Sequence, residues 1–146
     1  MAGTVSSPPG QTNGATVLYV EDDAPSAHLA ELVLRRAGLR VLRASSGERG
    51  LELAGRERPD LVPLDPGLPD LDGREMIGRL RRMLGGSLPV VVVTGDTRPE
   101  HVSALREAGA SDCLAKPLDP ARVLELVSGR AQLSTCGGPE TVPAAD

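Results

Sequence analysis

Five short apolar runs alternate with longer amphipathic segments across roughly residues 16–130, and no other feature of the chain restricts its fold as much. The runs are TVLYV (16–20), LRVLRA (39–44), LVPL (61–64), PVVVVT (89–94) and DCLA (112–115). Near-continuous apolar runs of this length suit strands buried on both faces. Between them, apolar residues recur at helical spacing. Over 74–84, Met76, Ile77, Leu80, Met83 and Leu84 form one stripe. Over 26–37 the stripe holds Leu29, Leu32, Val33 and Ala37, and over 121–130 it holds Val123, Leu124, Leu126 and Val127. Segments 48–58 and 99–108 carry weaker versions. Gly38 and Gly109 stand where helix C-caps are expected, and Pro59 cannot continue the helix before it. This alternation predicts a (βα)5 α/β fold, with a parallel sheet sandwiched between helices.

Composition narrows the function classes. The 146 residues carry a net charge of −4 and no Lys/Arg block, so no nucleic-acid-binding surface is expected. Tyr19 is the sole aromatic residue, which leaves an aliphatic core and no platform for stacking bases. No apolar stretch approaches a membrane span. The N-terminus lacks the basic-then-apolar order of a signal peptide. Cys113 lies in an apolar run and Cys136 in the segment read below as a tail, which fits a reducing cytosol better than a disulfide scaffold and predicts a cytoplasmic protein. Residues 1–15 and 131–146, dominated by small residues, Gly, Pro and Thr, read as flexible tails. No internal repeat is present.

In a parallel sheet of this kind, sites form at the carboxyl ends of the strands. Glu21, Asp22 and Asp23 follow the first run, Asp65 the third, Thr94 ends the fourth, and Lys116 follows the fifth. Carboxylates gathered on one edge cannot all ionise without compensation. A hard divalent cation such as Mg²⁺ resolves the repulsion, taking one or two carboxylates with waters and phosphate oxygens. Asp can act as a covalent phosphate acceptor, and a Thr hydroxyl and a Lys can neutralise phosphoryl oxygens in the transition state. Lys116 is the single lysine beside fifteen arginines, and a point charge suits one phosphoryl oxygen. Taken singly, each position has an ordinary explanation. Asp22 or Asp23 could cap the helix that starts near Pro25, and Thr94 could be a β-favouring residue. Their coincidence on one predicted edge carries the reading.

With these residues in place, the chain resembles a receiver domain of a two-component response regulator over about 16–130. The motifs are VLYVEDD (17–23), DPGLPDLDG (65–73), VVVTG (91–95) and LAKPL (114–118), with SSGERGLELA (45–54) and REAGASDCLAKP (106–117) between them. The resemblance implies a flavodoxin-like three-layer sandwich with strand order 2-1-3-4-5. It implies that Asp65 accepts a phosphoryl group from a histidine kinase, a phosphotransfer protein or a small phosphodonor. Mg²⁺ would be held by Glu21, Asp22, Asp65 and the backbone carbonyl of Gly67, with Asp23 outside the set. Thr94 would be the switch hydroxyl and Lys116 the phosphoryl-pairing cation. The Lys116–Pro117 bond would be cis. Phosphorylation would then shift binding to an unknown downstream protein, and a homodimer is left open. Such a domain catalyses at most its own aspartyl phosphorylation and dephosphorylation. After about residue 130 the sequence reads only as tail, as expected of a stand-alone receiver or of a piece from a longer chain such as a hybrid kinase.

Three residues depart from the pattern. Pro63 and Pro66 replace aliphatic residues, and each removes a backbone donor. The expectation is reduced stability with the chemistry intact. Cys113 stands where the family has Tyr or Phe, so no aromatic side chain is present there to rotate with the switch hydroxyl. The alternative to a phosphoacceptor is a degenerate receiver acting as a phosphorylation-independent docking module. A haloacid-dehalogenase type of phosphatase would need a second Asp two residues after Asp65, where Gly67 stands. No G-x-G-x-x-G or GK[ST] is present, and His28, His101, Cys113 and Cys136 lack zinc-ligand spacing.

Overall fold

The five apolar runs become five parallel strands in a computed structural model that describes residues 14–128. The strands are β1 (Thr16–Val20), β2 (Arg40–Ala44), β3 (Val62–Leu64), β4 (Val90–Thr94) and β5 (Asp112–Ala115). The helices between and after them are α1 (Ala24–Arg36), α2 (Gly47–Glu57), α3 (Gly73–Leu84), α4 (Pro99–Glu107) and α5 (Pro120–Ser128). The sheet order is β2-β1-β3-β4-β5, as the resemblance implies. The tail assigned to 131–146 lies outside the described residues, as do Cys136 and residues 1–13 of the N-terminal tail. Among the described residues, no helix is long and apolar enough to cross a membrane.

Alternation along the strands divides the core in two. Leu18, Val20, Val62, Leu64, Val90 and Val92 pack with Leu51, Met76, Ile77, Leu80, Val102 and Leu105 from α2, α3 and α4. Val17, Val41, Leu61 and Val91 pack on the other face with Leu34 of α1 and with Val123 and Leu126 of α5. Cys113 is buried in the first of these cores, on the side of α4. Three members of the helical stripes are not core residues: Leu29 is 63% exposed, Leu32 45% and Met83 43%. On α1 the buried stripe narrows to Ala27 and Leu34, where the helix faces β2 and its neighbour α5.

Helix ends follow the local chemistry. Asp23 is the N-cap of α1, its carboxylate accepting from Ser26 N–H at 3.1 Å. Gly38 and Gly109 both sit one residue past a cap with positive φ, at 95° and 118°, where a side chain would be strained. Before Pro59, Arg58 closes α2 in the left-handed region at φ 49°.

Pro63 leaves a gap in the sheet. Leu18 N–H donates to Leu61 O at 3.0 Å and Asp65 N–H donates to Val20 O at 2.9 Å. The donor that belongs between these two bonds, facing β1, is the one proline lacks. The β1–β3 ladder is accordingly reduced to the pair Val20↔Leu64 and an isolated bridge Val17↔Leu61, while β3 pairs β4 through all three of its residues.

Candidate functional site

The strand order places the ends of β1 and β3 side by side, and this brings the acids together. Glu21, Asp22 and Asp65 each offer a carboxylate oxygen, and these oxygens lie within 4.8 Å of one another. Glu21 is buried, Asp65 half-buried and Asp22 exposed, so the cluster opens to solvent on one side. Asp23 commits its carboxylate to the α1 cap and donates its backbone N–H to Glu21 Oε2 at 3.2 Å.

Lys116 enters from the far edge, after β5. Its Nζ lies 3.0 Å from Glu21 Oε1 and 3.2 Å from Asp65 Oδ2. The Lys116–Pro117 bond is cis. Gly67 N–H donates to Asp65 Oδ1 at 2.9 Å, so both oxygens of Asp65 are engaged even though Pro66 has no N–H to offer.

Thr94 is the buried last residue of β4, whose carbonyl accepts from Lys116 N–H at 3.0 Å. Its Oγ1 accepts from Asp96 N–H at 3.0 Å. Asp96 is itself held by Arg98, whose Nε lies 2.9 Å from Oδ1 and Nη2 2.7 Å from Oδ2.

The charges are tuned by these contacts. Burial pushes the Glu21 carboxyl above the ordinary carboxylate range, and the ammonium of Lys116 only partly offsets this. Burial acts the same way on Asp65, but the Gly67 N–H and its hydrogen bonds with Glu21 and Lys116 outweigh it and hold Asp65 below that range. Of the two, Glu21 therefore keeps a proton longer. For Lys116, burial favours the neutral amine, yet the two carboxylates prevail and raise its pKa. Tyr19 lies beside them, its Oη donating to Glu21 Oε1 at 3.5 Å. Burial, and then the negative charge of Glu21, push its phenol up to about 12.

Two arrangements have no sequence signal, because the partners sit on separate elements that only the fold packs together. Asp70, in the loop after Asp65, accepts from Gly47 N–H at 2.8 Å and Glu48 N–H at 2.9 Å. Asp112, fully buried at the start of β5, meets Arg122 Nη2 at 3.0 Å and Arg106 Nη2 at 3.5 Å. The basic residues of α4 and α5 thus converge on one carboxylate next to Cys113.

A hard, oxygen-only donor set that is open to solvent at Asp22 suits a small divalent cation rather than a thiophilic metal. The lysine opposite it suits an anion held against that cation.

Comparison with known proteins agrees with this geometry. Residues 17–128 match the family model described as the response regulator receiver domain. The transcriptional regulatory protein AfsQ1 of Streptomyces coelicolor is 41% identical over 110 residues, covering 75% of this chain and 48% of that protein. The KDP operon transcriptional regulatory protein KdpE of Escherichia coli is 40% identical over 101 residues, covering 69% of this chain and 44% of that one. The chain thus spans about half the length of these regulators. A putative response regulator from Chloroflexus aurantiacus superposes with a TM-score of 0.72 at 38% identity, covering 79% of this chain and 98% of that one. The receiver domain of sensor histidine kinase PA1611 from Pseudomonas aeruginosa, solved with magnesium in its active-site cleft, has a TM-score of 0.72 at 31% identity. It covers 80% of this chain and 98% of its own. Acidic edge, lysine, sheet order and relatives agree: the chain belongs to the family of response regulator receiver domains of two-component systems.

Proposed function

We propose that Asp65 is the phosphoacceptor of this domain. One observation carries the reading: Lys116 Nζ contacts both Glu21 and Asp65 while Asp22 completes a three-carboxylate cluster. Asp65 is the member held in its ionised, nucleophilic form. Its carboxylate oxygen attacks the phosphorus of a histidine kinase or phosphotransfer-protein phosphohistidine. An O–P bond forms as the N–P bond breaks, and the electron pair leaves on the imidazole nitrogen, which takes up a proton. Lys116 then exchanges a carboxylate partner for a phosphoryl oxygen, and the Thr94 hydroxyl turns to a second one.

Glu21, Asp22, Asp65 and the Gly67 carbonyl are the ligands assigned to Mg²⁺, which when bound supplies positive charge to the phosphoryl oxygens. Turning Thr94 away from Asp96 N–H frees the segment between β4 and α4, so the face of α4, β5 and α5 repacks and a downstream protein reads the change. Buried Cys113 leaves that face with no aromatic rotor. The domain works in the cytoplasm and contacts no nucleic acid itself.

The test is intact mass and NMR after treatment with acetyl phosphate or beryllofluoride and Mg²⁺. One phosphoryl adduct, lost in Asp65→Asn, is expected. A well-folded domain that takes no adduct would instead be a docking module.

A further inference from the structure

The loop between β3 and α3 carries both Asp65 and Gly67, and it is fastened at two further points. Near its start, Gly73 N–H donates to Pro66 O at 3.2 Å, and a Cβ on Gly73 would lie 2.7 Å from Pro66 Cα, so this closure requires glycine. Toward its end, Asp70 grips α2 with both carboxylate oxygens, on Gly47 N–H at 2.8 Å and Glu48 N–H at 2.9 Å. Leu71 follows Asp70 against the same turn: a Cβ on Gly47 would stand 2.8 Å from Leu71 Cβ and Cδ1.

Helix α2 has its own N-cap, since Ser46 Oγ accepts from Arg49 N–H at 3.1 Å. Asp70 adds a link between two loops on the same sheet edge. That link matters more here because Pro66 removes the donor directly after Asp65, leaving Gly67 N–H as the local bond on Asp65 Oδ1. The amides of Glu48 and Gly47 hold the Asp70 carboxyl below the ordinary range, so it grips as a carboxylate at neutral pH.

We infer that Asp70 is a positioning residue for Mg²⁺ binding at Asp65: tied to α2, it holds the Gly67 carbonyl and the Asp65 carboxylate in the geometry the cation requires. This rests on the reading of Asp65 and Gly67 as ligands given above. Groups that orient a ligand without touching the metal commonly change affinity by about 10- to 100-fold.

The experiment is a Mg²⁺ titration of the whole chain, followed through the ¹H–¹⁵N shifts of Gly67 and its neighbours, at a temperature well below each variant's unfolding midpoint. Asp70→Ala is expected to weaken Mg²⁺ binding about tenfold or more. Asp70→Asn, which keeps one acceptor, should fall between it and wild type. Ser46→Ala removes the helix's own cap and leaves the loop attached, so it should lower the midpoint with unchanged Mg²⁺ affinity. Wild-type affinity in Asp70→Ala overturns the inference, as does an equal loss in Ser46→Ala, which would make Asp70 only a second cap. If the wild-type chain itself binds no Mg²⁺, the metal reading of the site falls, and this inference with it.

Discussion

Lys116 Nζ reaches Asp65 Oδ2 at 3.2 Å by crossing the end of β4, which lies between their two strands. From there it also meets Glu21, one strand further on. A single ammonium thus holds the repulsion of two neighbouring carboxyls in check, but it does not remove the cost of burying Glu21.

That cost sets the first prediction. Because the folded Glu21 carboxyl titrates above its unfolded value, its contribution is greatest below the ordinary Glu range of about pH 4 and is lost as pH rises toward the folded value. Glu21→Gln should therefore raise the neutral-pH melting temperature of the metal-free domain by a few degrees. The gain should shrink toward pH 4, and added Mg²⁺ should stabilise the variant less than wild type. Thermal scans across pH, with and without Mg²⁺, check this; a lower melting temperature at neutral pH would contradict it.

Pro63→Val restores a donor facing β1 in the middle of the sheet. The new N–H can close the gap between the Leu18–Leu61 and Asp65–Val20 bonds. The expected gain is about 1 kcal/mol, visible as a higher urea midpoint at unchanged slope. No gain would mean that the strands have already adjusted around the proline.

Glycines at two helical positions should respond with opposite signs. In Gly73→Ala the new methyl meets Pro66 Cα at 2.7 Å, a backbone atom that cannot step aside, and a loss of about 2 kcal/mol is expected. In Gly55→Ala, within α2, the methyl meets only Met83 Cε at 3.1 Å, the end of a flexible and partly exposed side chain. There a gain of about 0.5–1 kcal/mol is expected from helix propensity. Urea unfolding of both variants decides; equal signs would refute the contrast.

Asp112→Ala leaves the guanidinium groups of Arg106 and Arg122 without the buried carboxylate between them. Loss of one partner from a buried ion cluster costs about 3–5 kcal/mol. Equilibrium denaturation reads the loss, and a cost near that of an exposed pair, below about 1 kcal/mol, would show that solvent screens the cluster.

The order of elements was legible from residue types alone, because strand burial on both faces and helical stripes leave unmistakable periodicities. Observed boundaries fall within two residues of those expected for the ten elements, apart from the end of α5, which coincides with the limit of the described residues. Glu21, Asp22, Asp65, Thr94 and Lys116 could be named in advance because the parallel topology puts every strand's carboxyl end on one edge. Side-chain partners across the fold could not. Periodicity marks Leu29, Leu32 and Met83 as apolar but says nothing of which face is covered, and all three are exposed. Asp70 and Asp112 look like loop and strand-end acids in one dimension. Only the packing of α2 beside the loop, and of α4 and α5 around β5, supplies the donors each of them takes. Local composition specifies what a residue can offer, and which group answers it is decided by how separate elements pack against one another.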